Sequence, residues 1–115
     1  MATTETVLET YREASAMGDI DTVVDLHAED AVIISRGHVR RGHEGVRAHY
    51  EEVGEMMNDS ELEMDVFQEY IEGEFVMFTY AMRASDFHWD FAVDTMVIQD
   101  GKITGHTVAV YEHDG

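Results

Sequence analysis

Apolar side chains near the start of the chain recur every three to four residues, which is the spacing of one helix face. A first helix is predicted after the candidate caps Thr3 and Thr4, and Gly18 is suited to end it in a left-handed turn. Its apolar face carries Val7, Leu8, Tyr11, Ala14 and Ser15. Asp19 is the predicted cap of a second helix, with an apolar stripe of Ile20, Val23, Val24 and His27.

A buried strand and a third helix are predicted next. Residues 31–35 form a short apolar run, which is typical of a buried strand. After Arg36-Gly37 and Gly42, helical spacing returns and predicts a third helix with Val46, Tyr50, Val53 and Met57 on one face.

From residue 61 the pattern changes to a period of two, which is the signature of strands. Residues 61–70 alternate between a mainly apolar and a mainly acidic set, residues 75–84 are apolar on both faces, and a long strand spans residues 87–99. Asp100-Gly101 predicts a hairpin turn into a last strand over residues 103–111. Helices gathered before an antiparallel meander indicate an α+β fold.

The alternation in residues 87–99 contains a conflict. Phe87, Trp89, Phe91 and Val93 form the more apolar set, so alternation alone would bury them and expose Asp94. Two explanations remain open. Either the aromatic side chains lie on the outer sheet face under a second subunit, or a β-bulge shifts the phase within the strand.

Composition narrows the classes of function. The 115 residues suffice for one domain (residues 1–115). With 25 acidic and 7 basic residues the net charge is −18, which disfavours binding to nucleic acid or to an anionic membrane. Cysteine is absent, which excludes disulfides and thiol catalysis. The acidic start and the lack of a long apolar run predict a cytoplasmic protein without a signal peptide.

The acidic excess also predicts a host with a salty cytoplasm, because high ionic strength screens the repulsion between like charges. The only lysine is Lys102. We therefore expect the melting temperature to rise between low and multimolar potassium chloride. A melting temperature that is independent of salt would contradict the halophilic interpretation.

Three segments resemble the SnoaL-like, nuclear-transport-factor-two-like superfamily. They are the run from Tyr11 through Gly18-Asp19-Ile20-Asp21 to Leu26-His27-Ala28-Glu29-Asp30-Ala31-Val32, the run Arg41-Gly42-His43-Glu44-Gly45-Val46-Arg47, and the ending Asp100-Gly101-Lys102-Ile103. The resemblance covers roughly residues 4 to 112. It implies a cone-shaped α+β fold (a cystatin-like barrel), in which three N-terminal helices pack on a curved, mainly antiparallel sheet with a pocket at its mouth.

The resemblance to ketosteroid isomerase within this superfamily implies a candidate site. Tyr11 matches that enzyme's oxyanion tyrosine, and Asp94 matches its protonated oxyanion aspartate. The catalytic base is not matched, because Ser35 occupies its position. His106 matches a histidine of the polyketide cyclases, but Thr107 follows it where those enzymes carry tryptophan.

These matches predict Tyr11, Asp94 and His106 as candidate catalytic residues, in a pocket that is also lined by Ser35, Tyr50, Met96 and Val108. Two functions stay open. One is binding of a small, largely apolar molecule that carries a carbonyl or a carboxylate. The other is an acid–base enzyme of isomerase, cyclase or lyase type, with His106 as base and Asp94 as hydrogen-bond donor. No cofactor is predicted.

Two further clusters have a structural and a functional interpretation. Asp86, His88 and Asp90 could face one side of a strand, but a lone histidine is a weak metal signal, so no metal is predicted. Arg36, Arg40, Arg41 and Arg47 lie within one short segment. They either pair with acidic helix faces or form a cationic rim for an anionic ligand.

A homodimer is predicted through Phe87, Trp89 and Phe91 on the outer sheet face.

Overall fold

The computed structural model describes residues 3–113 and begins with two short helices whose ends are capped as predicted. Helix α1 (Thr4–Met17) starts at Thr3, whose side chain accepts from the backbone N–H of Thr6, and ends at Gly18 with φ of 70°. Helix α2 (Ile20–Asp25) is capped by Asp19. A positive φ suits glycine, because it has no Cβ to clash with the following carbonyl.

Strand β1 (His27–Ser35) begins four residues earlier than predicted, so His27 lies on a strand and not on the second helix. The chain then reverses at Arg36 (φ 47°) and Gly37 (φ 88°) into strand β2 (His38–Arg41), which the sequence did not predict. Helix α3 (Gly42–Met57) follows directly.

The second half of the chain is the predicted meander of four strands. Its members are β3 (Glu63–Glu72), β4 (Phe75–Arg83), β5 (His88–Gln99) and β6 (Lys102–Glu112). Asp100 and Gly101 both have positive φ, as a tight two-residue hairpin turn requires. The strand order is β2-β1-β6-β5-β4-β3, and β1 runs parallel to β6 while the other neighbours are antiparallel. The α+β class and the mainly antiparallel, curved sheet under three helices are thus confirmed.

A β-bulge in β5 resolves the conflict in the aromatic strand. The register of β5 shifts between Trp89 and Phe91, so that Asp90 and Phe91 are both exposed while Trp89 and Ala92 are both buried. Because one residue is added, Trp89 and Asp94 share the inner face although they stand five positions apart. The prediction that Trp89 lies on the outer face was therefore wrong: it is 5% exposed and packs with Tyr80 and Met82.

The core lies between the helices and the inner face of the sheet. Val46 and Tyr50 of α3 pack against Ala31 and Ile33 of β1. Leu8 of α1 packs against the central strands, together with Val7, Val76, Met96, Ile98 and Ile103. Within residues 3–113, no helix has both the length and the apolar character needed to span a membrane. Buried polar side chains, among them Asp94 and His106, lie in the interior between these clusters.

Candidate functional site

Tyr11, Asp94 and His106 come together in the interior, as the sequence predicted. Five elements contribute to the group: Tyr11 comes from α1, Tyr50 from α3, His106 from β6, Asp94 from β5 and Tyr80 from β4. His106 and Asp94 are only 2% and 6% exposed, whereas Tyr11 is half-buried. We call these five residues the polar relay.

The relay is a continuous chain of hydrogen bonds. Tyr50 donates to the hydroxyl of Tyr11 at 3.0 Å, and its oxygen lies 3.3 Å from Nδ1 of His106. Nε2 of His106 lies 2.9 Å from Oδ2 of Asp94, and Tyr80 donates to Oδ1 at 2.9 Å. Tyr11 ends this chain and is the least buried of the five residues.

The number of protons fixes how the relay is arranged. The Tyr50 hydroxyl has one proton, so when it donates to Tyr11 it must accept from Nδ1 of His106. One further proton then lies between Nε2 of His106 and the Asp94 carboxyl. Both ring nitrogens of His106 and both oxygens of Asp94 are occupied, so the separate roles of base and oxyanion donor conflict in this arrangement.

Burial keeps the tyrosines of the relay protonated at neutral pH. Desolvation raises the pKa of Tyr11 to about 12, from an ordinary value of 10.0. Burial raises the pKa of Tyr50 well above 10.0, and burial together with the Asp94 carboxylate raises that of Tyr80. The tyrosines therefore act as hydrogen-bond donors or weak acids, and they do not act as bases.

Two more histidines border the relay and stay neutral. His49 meets the ring of Tyr50 edge-on with centroids 4.9 Å apart, and His27 does so at 5.7 Å. Burial, and to a lesser extent the charge of His106, lowers the pKa of both His27 and His49 to about 4. Nδ1 of His27 donates to the Val23 carbonyl at 2.7 Å, while its Nε2 is buried without a partner. Protonation of Nε2 would therefore place an unpaired charge in the core.

A groove lies between α1 and β3. It has a volume of about 380 Å³ and an apolar floor of Leu8 and Ile71; its rim is made of Glu5, Glu9, Arg12, Glu13 and Glu69. Arg12 and Glu69 form an ion pair across it. Leu8 lies one helical turn before Tyr11, and both pack in the same core cluster as Ile71. Tyr11 does not line the groove itself, but Leu8 belongs both to the groove and to the cluster that contains Tyr11.

The arginine segment lies away from this groove. Its residues belong to β2, to the turn before it and to α3, and β2 forms the edge of the sheet opposite β3. Arg36 pairs with Glu112 and lies 5.0 Å above the ring of Trp89, and Arg47 pairs with Asp21. Arg40 pairs with Glu52 of α3, so pairing with an acidic helix is confirmed for Arg40 and Arg47, whereas Arg36 pairs with a strand residue. The segment does not line the groove.

Sequence reasoning missed two members of the site. Tyr80 lies in a strand that is apolar on both faces, so only the pairing of β4 with β5 brings it to Asp94. His49 stands three residues after Val46, on the buried side of α3, and this spacing was a usable signal. A buried histidine at helical spacing with other buried residues favours a place in the core.

Comparison with known proteins agrees with this architecture. The profile of the SnoaL-like domain matches residues 8–106. The chain belongs to the SnoaL-like family. None of the curated proteins matches it.

Solved structures of similar fold cover nearly the whole SnoaL-like chain. A proposed ketosteroid isomerase from Kribbella flavida superposes with a TM-score of 0.74 at 13% identity, covering 97% of this chain and 80% of its own. A proposed polyketide cyclase from Sinorhizobium meliloti reaches 0.71 at 17% identity, covering 90% and 93%. An NTF2-like protein of unknown function from Cytophaga hutchinsonii reaches 0.74 at 16% identity, covering 96% and 92%. At such identities the likeness concerns the fold alone.

The remaining predicted pocket residues of this SnoaL-like chain differ in their surroundings. Met96 is fully buried in the core cluster of α1 and the central strands. Val108 pairs with Asp94 across the sheet and with Ser35 on β1, and both Val108 and Ser35 are half-buried. Met96 is thus a core residue, while Ser35 and Val108 lie on the inner face beside the relay.

Proposed function

We propose that this SnoaL-like protein binds a small, largely apolar molecule in the groove between α1 and β3. The carbonyl group of this ligand would accept a hydrogen bond from Tyr11. One observation carries the proposal: the polar atoms of Asp94 and His106 are occupied by one another and by tyrosines, and Tyr11 is the half-buried end of the chain. Since burial keeps Tyr11 protonated, its hydroxyl suits a carbonyl acceptor.

The charge of the groove favours a neutral ligand. Its rim carries four carboxylates and one guanidinium, and Arg12 is already paired with Glu69. A carboxylate-bearing ligand would be repelled by the remaining acids. The carboxylate alternative rested on the arginine segment, and that segment lies at the opposite sheet edge.

The test is a thermal-shift screen of small carbonyl compounds, followed by calorimetric titration of one that binds. We expect the neutral compound to bind more tightly than the carboxylate of the same skeleton. Tyr11→Phe removes one hydrogen bond and should weaken binding about threefold to tenfold. Tyr111→Phe, at an exposed tyrosine of β6, is the matched control and should leave the affinity unchanged. Equal loss in both variants, or preference for the carboxylate, would contradict the proposal.

Acid–base catalysis is the second candidate, and the relay itself favours it. A proton could pass from His106 through Tyr50 to Tyr11, which would act as a weak general acid toward a bound carbonyl. His106→Ala and Asp94→Asn would then abolish turnover while binding persists. Binding without turnover in the native protein would leave only the binding function.

We also propose a homodimer through the outer sheet face. Phe91 pairs with Tyr111 across β5 and β6, and Phe67 stacks on Phe91 with centroids 6.2 Å apart. All three are about half-exposed or more, and together with Met77 and Phe75 they leave a wide apolar face. Monomers seldom expose patches of this kind. Of the three aromatic residues predicted for the interface, Phe91 remains part of the proposed interface. Trp89 is buried in the interior, and Phe87 is half-buried in contact with Trp89.

Light scattering at micromolar concentration should give twice the 13.1 kDa of one chain. Phe91→Glu places a charge in the proposed interface and is expected to give a monomer. Met17→Glu, at an exposed apolar residue of α1, should remain dimeric. A native protein that scatters as a monomer would refute the dimer.

A further inference from the structure

Two histidines and an aspartate meet at the end of the sheet where β5 begins and β6 ends. His88 and Asp90 stand two residues apart on β5, and His113 follows the last residue of β6. All three are exposed, and one ligand atom from each lies within 4.8 Å of the others. We propose that His88, Asp90 and His113 form a binding site for a divalent transition metal ion such as Zn²⁺.

The backbone brings the three ligands together. The N–H of His113 donates to the carbonyl of His88 at 2.8 Å, which extends the β5–β6 ladder by one bond. The two imidazole rings stack with centroids 4.6 Å apart and planes inclined by 24°. The histidines are 25 residues apart in sequence, yet the pairing of β5 with β6 brings them together. This second histidine is the ligand that the strand motif of residues 86–90 lacked.

The distances suit one shared ion. Oδ1 of Asp90 lies 3.3 Å from Nε2 of His88, and Oδ2 lies 3.0 Å from Nδ1 of His113. Ligands about 2.0–2.2 Å from a tetrahedral zinc ion are separated from one another by roughly 3.3 Å. The two contacts use different oxygens of the carboxylate, and the one to His113 is a hydrogen bond, so a bound ion would replace the proton between them. Rotation of the exposed side chains out of the stacked arrangement would turn both ring nitrogens toward one ion, with water as the fourth ligand.

The chemistry and the charge also favour a cation. Imidazole with carboxylate is a donor set that zinc and its neighbours in the transition series accept readily. Neutral imidazole offers a lone pair to the ion, and the Asp90 carboxylate balances part of its charge. The net charge of −18 attracts cations to the whole surface. Asp86, which the sequence placed in the same motif, does not belong to the cluster.

The site is tested by calorimetric titration of tag-free, metal-stripped protein with zinc chloride at pH 7.5. We expect one ion per chain, and ligand substitution by His88→Ala or His113→Ala should weaken binding at least about tenfold. His38→Ala removes an exposed histidine of β2 and should leave the affinity unchanged. Circular dichroism checks that each variant folds.

Two further measurements separate this site from diffuse attraction to the acidic surface. Nitrogen-15 spectra of the imidazoles should show zinc-dependent shifts at His88 and His113, with no change at His38. Binding should also weaken at pH 5.5, because protonated imidazole cannot ligate. Saturable binding that survives loss of either histidine, or no binding up to millimolar zinc, would overturn the proposal.

Discussion

Replacing Asp94 with valine is expected to lower the free energy of unfolding by about 3–5 kcal/mol, the usual effect of removing one partner of a buried ion pair. His106 and the hydroxyl of Tyr80 both lose their partner in this variant. Since His106 is 2% exposed, water cannot replace the lost hydrogen bond without entering the core.

Urea unfolding measures the effect, and a double-mutant cycle assigns it. Asp94→Val combined with His106→Leu should cost less than the sum of the two single changes, because the pair is removed together. Asp65→Val applies the same substitution at an exposed position of β3 and should change stability by no more than about 0.5 kcal/mol. Additive effects of the two buried changes would show that Asp94 and His106 are not coupled.

Acidification from pH 6.5 to pH 4 is expected to destabilise the protein through His27 and His49. Burial lowers the pKa of each to about 4, so both stay neutral in the folded state until the pH approaches 4. In the unfolded chain they protonate near 6.5. The unfolded state therefore binds more protons, and the free energy of unfolding falls as the pH falls. The full contribution, present above pH 6.5, is about 3 kcal/mol per histidine.

The variant His49→Phe isolates this effect from the titration of the surface carboxylates. It keeps an aromatic edge against Tyr50 and removes one titrating group. The slope of stability against pH between 4.5 and 6 should fall by about 1 kcal/mol per pH unit. His38→Phe, at an exposed position, should leave the slope unchanged. An unaltered slope in His49→Phe would show that this histidine is protonated in the folded core.

Local patterns predicted the helices, the caps at Thr3 and Asp19, and the meander with its Asp100-Gly101 turn. The strands that local patterns did not predict depend on pairing between distant segments. Strand β2 has four residues and one of them is half-buried, so it carries no periodic signal of its own. Residues 27–30 were predicted as helix and loop because the parallel partner of β1 lies more than 70 residues later.

The residues of the candidate site were likewise predicted only in part. Tyr11, Asp94 and His106 were found through a resemblance that attaches roles to positions, and the structure does bring them together. Tyr80 could not be found from spacing, because its contact with Asp94 depends on which residues of β4 and β5 face each other. The inward position of Asp94 depends on the bulge after Trp89, and neither alternation nor charge locates a bulge.

The place of β6 in the sheet has a consequence for how the chain is made. The last strand lies between β1 and β5, so it joins the N-terminal half of the sheet to the meander. Ile33 pairs with His106, and 106 minus 33 is a separation of 73 residues. During synthesis on the ribosome the edges of β1 and β5 that pair with β6 would therefore stay open until β6 emerges. Contacts of such long range slow folding, and a nascent chain stalled before residue 102 would expose those edges to association with other chains.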